Sequence, residues 1–319
     1  MPFLVTIAHV CGKPYVSAMP LTHILVALLV ALIWGMTFVV IQVGLESFPP
    51  LLMSALRFLV TGWPFLLFYR SPGVAWRYVF GAAFFFGICQ FSFLFVGMDL
   101  GMPAGLSSLV LQVQAFFTVL FAILLLGDRP TARQWLGMLV AFGGIAVIAL
   151  DVGQSGGQAG TLTGLVLVIL AAASWGAFNI VIKKAAPPDL LRFVVWAASL
   201  PPVPLLALSW FWEGEDRVMA AVLGLDWLGA ACVVYLALAA TTGGFGLWGW
   251  LLKHHPASRV APVSLLVPVF GMSLAAFLLE ESFGPLKVAG AALVAIGLAL
   301  NLMVRKRPSA LPPAGPPTA

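Results

Sequence analysis

The sequence predicts an all-α membrane protein of ten transmembrane helices, arranged as two inverted five-helix repeats. Three observations predict it. The 319 residues are 62% hydrophobic and only 8% charged, whereas a soluble domain carries about 25% charged residues. Runs of apolar residues follow one another along the chain, each close to the ~20 residues needed to cross a bilayer as a helix. The chain also resembles itself, so one half is a rewriting of the other.

Helices are the sound choice for the spans because lipid offers no partner to an open sheet edge. The first helix, 22–43, carries Trp34 and stops at "ESFPP". The second, 51–69, contains Arg57 and closes at "YRSPG". The third, 77–98, bears Gln90. The fourth, 104–126, opens after Pro103, carries Gln112 and Gln114, and ends at "GDRPTARQ". The fifth, 133–150, is uncharged after its first residue. The sixth, 161–182, holds Trp175 and Asn179 and runs out at "KKAAPPD". The seventh, 191–212, ends at "EGEDR". The eighth, 227–250, contains Thr241 and Thr242. The ninth, 258–279, is interrupted by Pro262 and Pro268 around Ser264, which predicts a kink or an unwound stretch. The tenth is 285–304. The joints hold the helix-breaking and charged residues that the spans lack.

The repeat is read from matched motifs. "WGMTFVVI" from Trp34 returns as "WGAFNIVI" from Trp175, and "SALRF" with Arg57 returns as "DLLRF" with Arg192. "PAGLSSLVLQVQAFF" from Pro103 matches "PASRVAPVSLLVPVF" from Pro256, and at that offset Gly137 meets Gly290 and Gly144 meets Gly297. Five helices per half is an odd number, so the halves sit antiparallel in the membrane. Secondary transporters share this arrangement and bind cargo near the midplane between repeats. The chain divides into an extension 1–21, a first repeat 22–150, a second repeat 161–304 and a Pro-rich tail 305–319. The extension lacks the basic and long apolar regions of a signal peptide, and a native start at Met19 is compatible with it.

Lys and Arg orient the spans. With the N-terminus in the cytoplasm, inner segments hold thirteen basic residues from Lys13 to Arg307, and outer loops hold only Arg217 and Lys287. Both termini are then cytoplasmic, in a multi-pass protein of a bacterial inner membrane. The net charge of +5 comes from these loops. No basic cluster with interleaved aromatics occurs, which speaks against a nucleic-acid partner. Cys11, Cys89 and Cys232 lack metal-ligand or redox spacing. No histidine or acid lies in the middle of a span, so neither a nucleophile with its base nor a carboxylate metal site is available there. The reading is of no enzyme, no cofactor and no metal.

Polar residues at membrane depth need a reason. Arg57 is open between snorkelling or pairing with helix-end carbonyls and attracting a substrate carboxylate. Gln90, Gln112, Gln114, Asn179, Thr241, Thr242 and Ser264 are open between helix contacts and a central cavity. Gln112 and Gln114 stand about 200° apart on an α-helix, which predicts Gln112 at the cavity and Gln114 toward a neighbouring helix. Trp34 and Trp175 hold matching places in the two halves, as packing or as paired walls.

On "LIWGMTFVVIQVGL", "FPPLLMSALRF", "GMPAGLSSLVLQVQAFFTVLF" and "RVAPVSLLVPVFG", the chain resembles the EamA family of the drug/metabolite transporters over residues 22 to 304. Within that family it is most similar to exporters of cysteine and O-acetylserine. The resemblance implies a ten-helix inner-membrane carrier that exports small amino-acid metabolites by alternating access. It implies substrate contacts from Trp34, Gln90, Gln112, Trp175, Asn179, Thr242 and Ser264, with Arg57 matching the family's second-helix arginine. Another cargo, such as an aromatic amino acid or a nucleoside, is the alternative. The partners are thus a small-molecule substrate and the lipid bilayer. Coupling stays open between proton exchange and downhill facilitation, since no embedded acid supplies a proton relay.

Overall fold

The computed structural model describes residues 19–69, 71–154 and 159–302. Expectations placed on Cys11, Lys13, Arg70, the tail 305–319 and most of the extension 1–21 lie outside these residues. The chain folds into helices α1 (Leu21–Gly44), α2 (Pro50–Leu66), α3 (Trp76–Asp99), α4 (Ala104–Leu126), α5 (Ala132–Gln154), α6 (Ala159–Ala185), α7 (Leu190–Glu213), α8 (Glu215–Leu223), α9 (Trp227–His254), α10 (Ala261–Leu278) and α11 (Pro285–Leu302). No strand occurs among the described residues. Among the described residues eight helices are long and apolar enough to cross a membrane, and α2 and α11 are shorter apolar helices. The protein is a multi-pass membrane protein. The short helix α8 replaces an expected plain joint: Glu215 and Asp216 in its first turn favour the positive helix end.

Polar ties sort the helix ends into two groups. The end where α1 starts, here the near end, is joined by His23 to His255, Arg192 to Ser71, Lys183 to Asp128 and Lys253 to Asp189. The far end is joined by Ser47 to Asp226, Arg217 to Asp99 and Lys287 to Asp151. The two ends pack unequally. Every residue of Ala104–Val110 and Leu111–Val113, the far half of α4, is buried, whereas Gln114–Leu126 buries only Phe116 and Ala122.

Three helices leave α geometry at mid-length, and a fourth does so in its first turn. α3 and α9 widen into π turns at Ala83–Gln90 and Tyr235–Gly243. α4 and α10 tighten into 3-10 turns at Leu111–Val113 and Ala261–Leu265. Irregular backbone at this depth is tolerated where it is buried in protein or lines a cavity. Proline explains part of it: Pro262 and Pro268 have no N–H to give, so the Ser264 carbonyl loses the donor that an α-helix would supply four residues on.

Candidate functional site

The freed carbonyls fix the site. Gln112 on α4 donates its Nε2 to the Ser264 carbonyl on α10 at 2.9 Å, filling the gap left by Pro268. Trp34 on α1 donates its indole Nε1 to the Ala240 carbonyl, in the π turn of α9, at 3.0 Å. Each bond joins the first half of the chain to the second. Between them lies a small cavity of about 90 Å³.

Trp34, Arg57, Gln90, Gln112, Trp175 and Ser264 line this cavity. Asn179 and Thr242 do not. Asn179 sits one turn beyond Trp175 and donates its Nδ2 to Thr118 Oγ1 at 3.0 Å. Thr242 donates its hydroxyl to the Ala237 carbonyl, five residues back, at 3.1 Å. Its neighbour Thr241, in the same π turn, lines the cavity instead. Gln114 also lines the cavity, contrary to its expected turn toward a neighbour. The 3-10 winding of Leu111–Val113 cuts the separation from Gln112 from about 160° to about 120°, within reach of two long side chains.

Arg57 is the charged group of the site. Its side chain is 2% exposed. Nη2 donates to Thr241 Oγ1 at 2.6 Å, and Thr241 in turn donates to the Leu236 carbonyl at 2.8 Å. The guanidinium carbon lies 3.8 Å from the Phe91 ring centroid and 5.0 Å from that of Phe58, so ring faces stabilise the cation. Nε and Nη1 have no hydrogen-bond partner, nor has either end of the Gln90 amide or Gln114 Oε1. A buried, unmet polar atom costs about 1–3 kcal/mol. Several of them at one cavity mark a place built to be completed by something else.

Thr37, Phe38, Phe91, Leu94, Thr241 and Phe245 also line the cavity. Thr241 was legible as a polar residue in an apolar run. The phenylalanines had no signal, because an apolar lining residue and a packing residue read alike. Around the site, Trp175 stacks on Phe245 with centroids 6.4 Å apart and planes 18° from parallel.

Comparison with known proteins gives a consistent picture. The model of the EamA-like transporter family matches residues 21–150 and 162–303. The chain is 39% identical over 280 residues to a "probable amino-acid metabolite efflux pump" of Escherichia coli (strain K12), covering 86% of this chain and 93% of that one. A protein of the same description in Salmonella typhimurium is 40% identical, with the same coverage. A "probable terminal-alkyne amino-acid exporter" of Streptantibioticus cattleyicolor is 28% identical, covering 69% and 70%. One solved protein structure superposes with a TM-score of 0.59 at 19% identity, covering 88% of this chain and 97% of that chain, which speaks to the fold alone.

Proposed function

The chain belongs to the EamA-like transporter family, and from that premise we propose that it exports small amino-acid metabolites of the cysteine and O-acetylserine type. It is a membrane transporter and not an enzyme. The observation that carries the cargo class is the pairing of Arg57 and Gln90 at one cavity. Two unmet guanidinium nitrogens can hold a carboxylate with charge-assisted bonds. The Gln90 amide offers a donor to that carboxylate and an acceptor to the ammonium, and Gln114 Oε1 adds a second acceptor. Two amide oxygens bind an ammonium without burying a second charge, so cargo can also leave.

Alternating access is the transport mode of this reading, with one five-helix repeat rocking against the other. The winding defects support the repeat. The π turn Ala83–Gln90 lies 152 to 153 residues before Tyr235–Gly243, and the 3-10 turn Leu111–Val113 lies 152 before the end of Ala261–Leu265. The proline motifs and glycines match at an offset of 153, within a residue of these. Counting α2 and α11 as spans gives ten. The near end carries Arg77, Arg129, Arg133, Lys183, Lys184, Arg192, Lys253 and Arg259, and this basic excess supports an orientation with the near end on the cytoplasmic side of a bacterial inner membrane. A proton remains a candidate coupling ion.

Trp34, Phe91, Trp175 and Phe245 among the lining residues favour a second cargo, an aromatic amino acid, held by the same carboxylate anchor. Uptake of labelled solutes into inside-out vesicles separates the readings. Cysteine and O-acetylserine are expected to be taken up in preference to phenylalanine, uridine and methyl viologen. Transport of uridine or methyl viologen with no amino acid carried would overturn the proposal.

Gln90 gives a sharper check on the site. Gln90→Leu removes an amide that has no partner to lose, and such replacements are nearly neutral or stabilising. The variant is expected to melt at or above the temperature of the parent protein. Its KM for cargo should rise about tenfold, the effect of losing about 1.4 kcal/mol. A fall in melting temperature with KM unchanged would make Gln90 a packing residue.

A further inference from the structure

Helices α2 and α4 begin at prolines, Pro49-Pro50 and Met102-Pro103, and neither has a side-chain cap of its own. A proline side chain has no oxygen with which to cap, and the first N–H groups of a helix have no partner inside it. Both are capped from the other half of the chain. Glu213, at the end of α7, accepts from Leu51 N–H at 2.7 Å and Leu52 N–H at 3.2 Å, and Ser209 Oγ donates to it at 2.6 Å. Glu281, between α10 and α11, accepts from Ala104 N–H at 2.6 Å and Gly105 N–H at 3.0 Å. Both sit at the far end, where α2 and α4 are fully buried.

We infer that Glu213 and Glu281 are the outer gate of the transporter, two carboxylate latches that hold the far end shut while the near end is open. The inference rests on the alternating-access reading above. A carboxylate at a helix N-terminus meets both the unpaired N–H groups and the positive end of the helix dipole. Its bond therefore depends on the helix staying where it is. Opening the far end must withdraw α2 and α4 from the second repeat, and each withdrawal uncaps a helix. The energy of the two caps thus biases the protein toward the state with the far end closed. Gly105 shows how closely the second latch fits: a Cβ there would lie 2.6 Å from the Phe283 ring and 2.9 Å from Glu281 Oε2. The Ser47 to Asp226 bond, 3.2 Å long, is a third tie across the same end, to a hydroxyl rather than to a helix terminus. Glu213 and Glu281 act by positioning helices and do not touch cargo.

The test reads the gate without cargo. Thr37 lines the cavity, so Thr37→Cys is placed in a chain whose Cys11, Cys89 and Cys232 are serine. It is then labelled in intact cells by a membrane-impermeant maleimide applied outside. Glu213→Gln and Glu281→Gln keep size but lose the charge and one of the two acceptors. Each is expected to raise the labelling rate severalfold, and the double variant more than either. Unchanged labelling in folded single and double variants overturns the latch. Should an amide variant fail to fold, Ser47→Cys with Asp226→Cys replaces it, closing the same end by a disulfide. Oxidation must then stop labelling at position 37 and reduction restore it; labelling that persists in the oxidised protein overturns the latch. Labelling responds to the gate whether or not amino acids are the cargo, so failure of the export reading shows separately in the vesicle panel.

Discussion

Arg57→Met is expected to raise the KM for an amino-acid cargo about 10- to 100-fold, while the amount of folded protein in the membrane stays close to that of the parent. The first half follows from the free Nε and Nη1 atoms. Hydrogen bonds to charged groups contribute about 1.5–3 kcal/mol, which is one to two powers of ten in affinity. The second half follows from what Arg57 does in the empty protein. It makes one hydrogen bond, to Thr241, and otherwise rests on Phe91 and Phe58. A methionine of similar length keeps the ring contacts and removes a buried cation that no carboxylate neutralises among the described residues. Replacing such a group by an apolar one is often neutral for stability. Arg57→Lys separates charge from shape: it keeps the cation but not the planar fork, and should recover part of the lost affinity. Initial rates against cargo concentration in inside-out vesicles, with quantitation of protein by immunoblot, give both numbers. An unchanged KM in Arg57→Met would return Arg57 to a purely structural role.

How much of this was legible depended on the kind of signal. Helix ends were readable because charges and helix-breaking pairs such as Pro49-Pro50 and Pro187-Pro188 gather in the joints. Arg57, Gln90 and Gln112, which line the cavity, were readable as candidates because a polar group in an apolar run is costly enough to need a reason. The faces were not readable. Periodicity arguments assume 3.6 residues per turn, and the helices that line the cavity break that assumption at the site itself. On α9 the cavity takes Thr241 rather than the Thr242 that the resemblance implied, and the 3-10 turn of α4 brought Gln114 to the cavity beside Gln112. The role of Gln112 shifted as well. Its donor is committed to the carbonyl that Pro268 leaves free, a long-range consequence of a proline 156 residues away. Gln90, with both ends of its amide unmet, is therefore the stronger candidate of the two for cargo contact. Nothing in the sequence pairs Glu213 with α2 or Glu281 with α4, because those caps are supplied across the interface between halves.

Two adjacent glycines on α5 should respond in opposite directions, and the contrast tests the scaffold apart from the site. At Gly144 a Cβ would lie 2.6 Å from the Gly290 carbonyl oxygen and 2.9 Å from Leu293 Cβ. At Gly143 a Cβ would meet nothing within 4 Å. Gly144 belongs to a seam in which α5 and α11 run antiparallel with their backbones close together. Gly137 meets Gly297 and Gly144 meets Gly290, and in each case the obstruction is a backbone oxygen that cannot rotate away. Small residues at a seam are how helices gain packing energy in lipid, where no hydrophobic force drives them together. Gly144→Leu must push the helices apart, and overpacking of this kind costs about 1–3 kcal/mol, a loss of several degrees in melting temperature for a chain of this size. Gly143→Ala should hold or raise the melting temperature, since alanine favours a helix over glycine by up to about 1 kcal/mol. Neither α5 nor α11 contributes a residue to the cavity, so the KM of whatever Gly144→Leu protein folds should match the parent. Thermal melting in detergent and transport per folded molecule measure the two effects separately. A KM that moved with Gly144→Leu would mean that the seam shapes the binding site, and that the scaffold of the two halves cannot be varied independently of the chemistry they enclose.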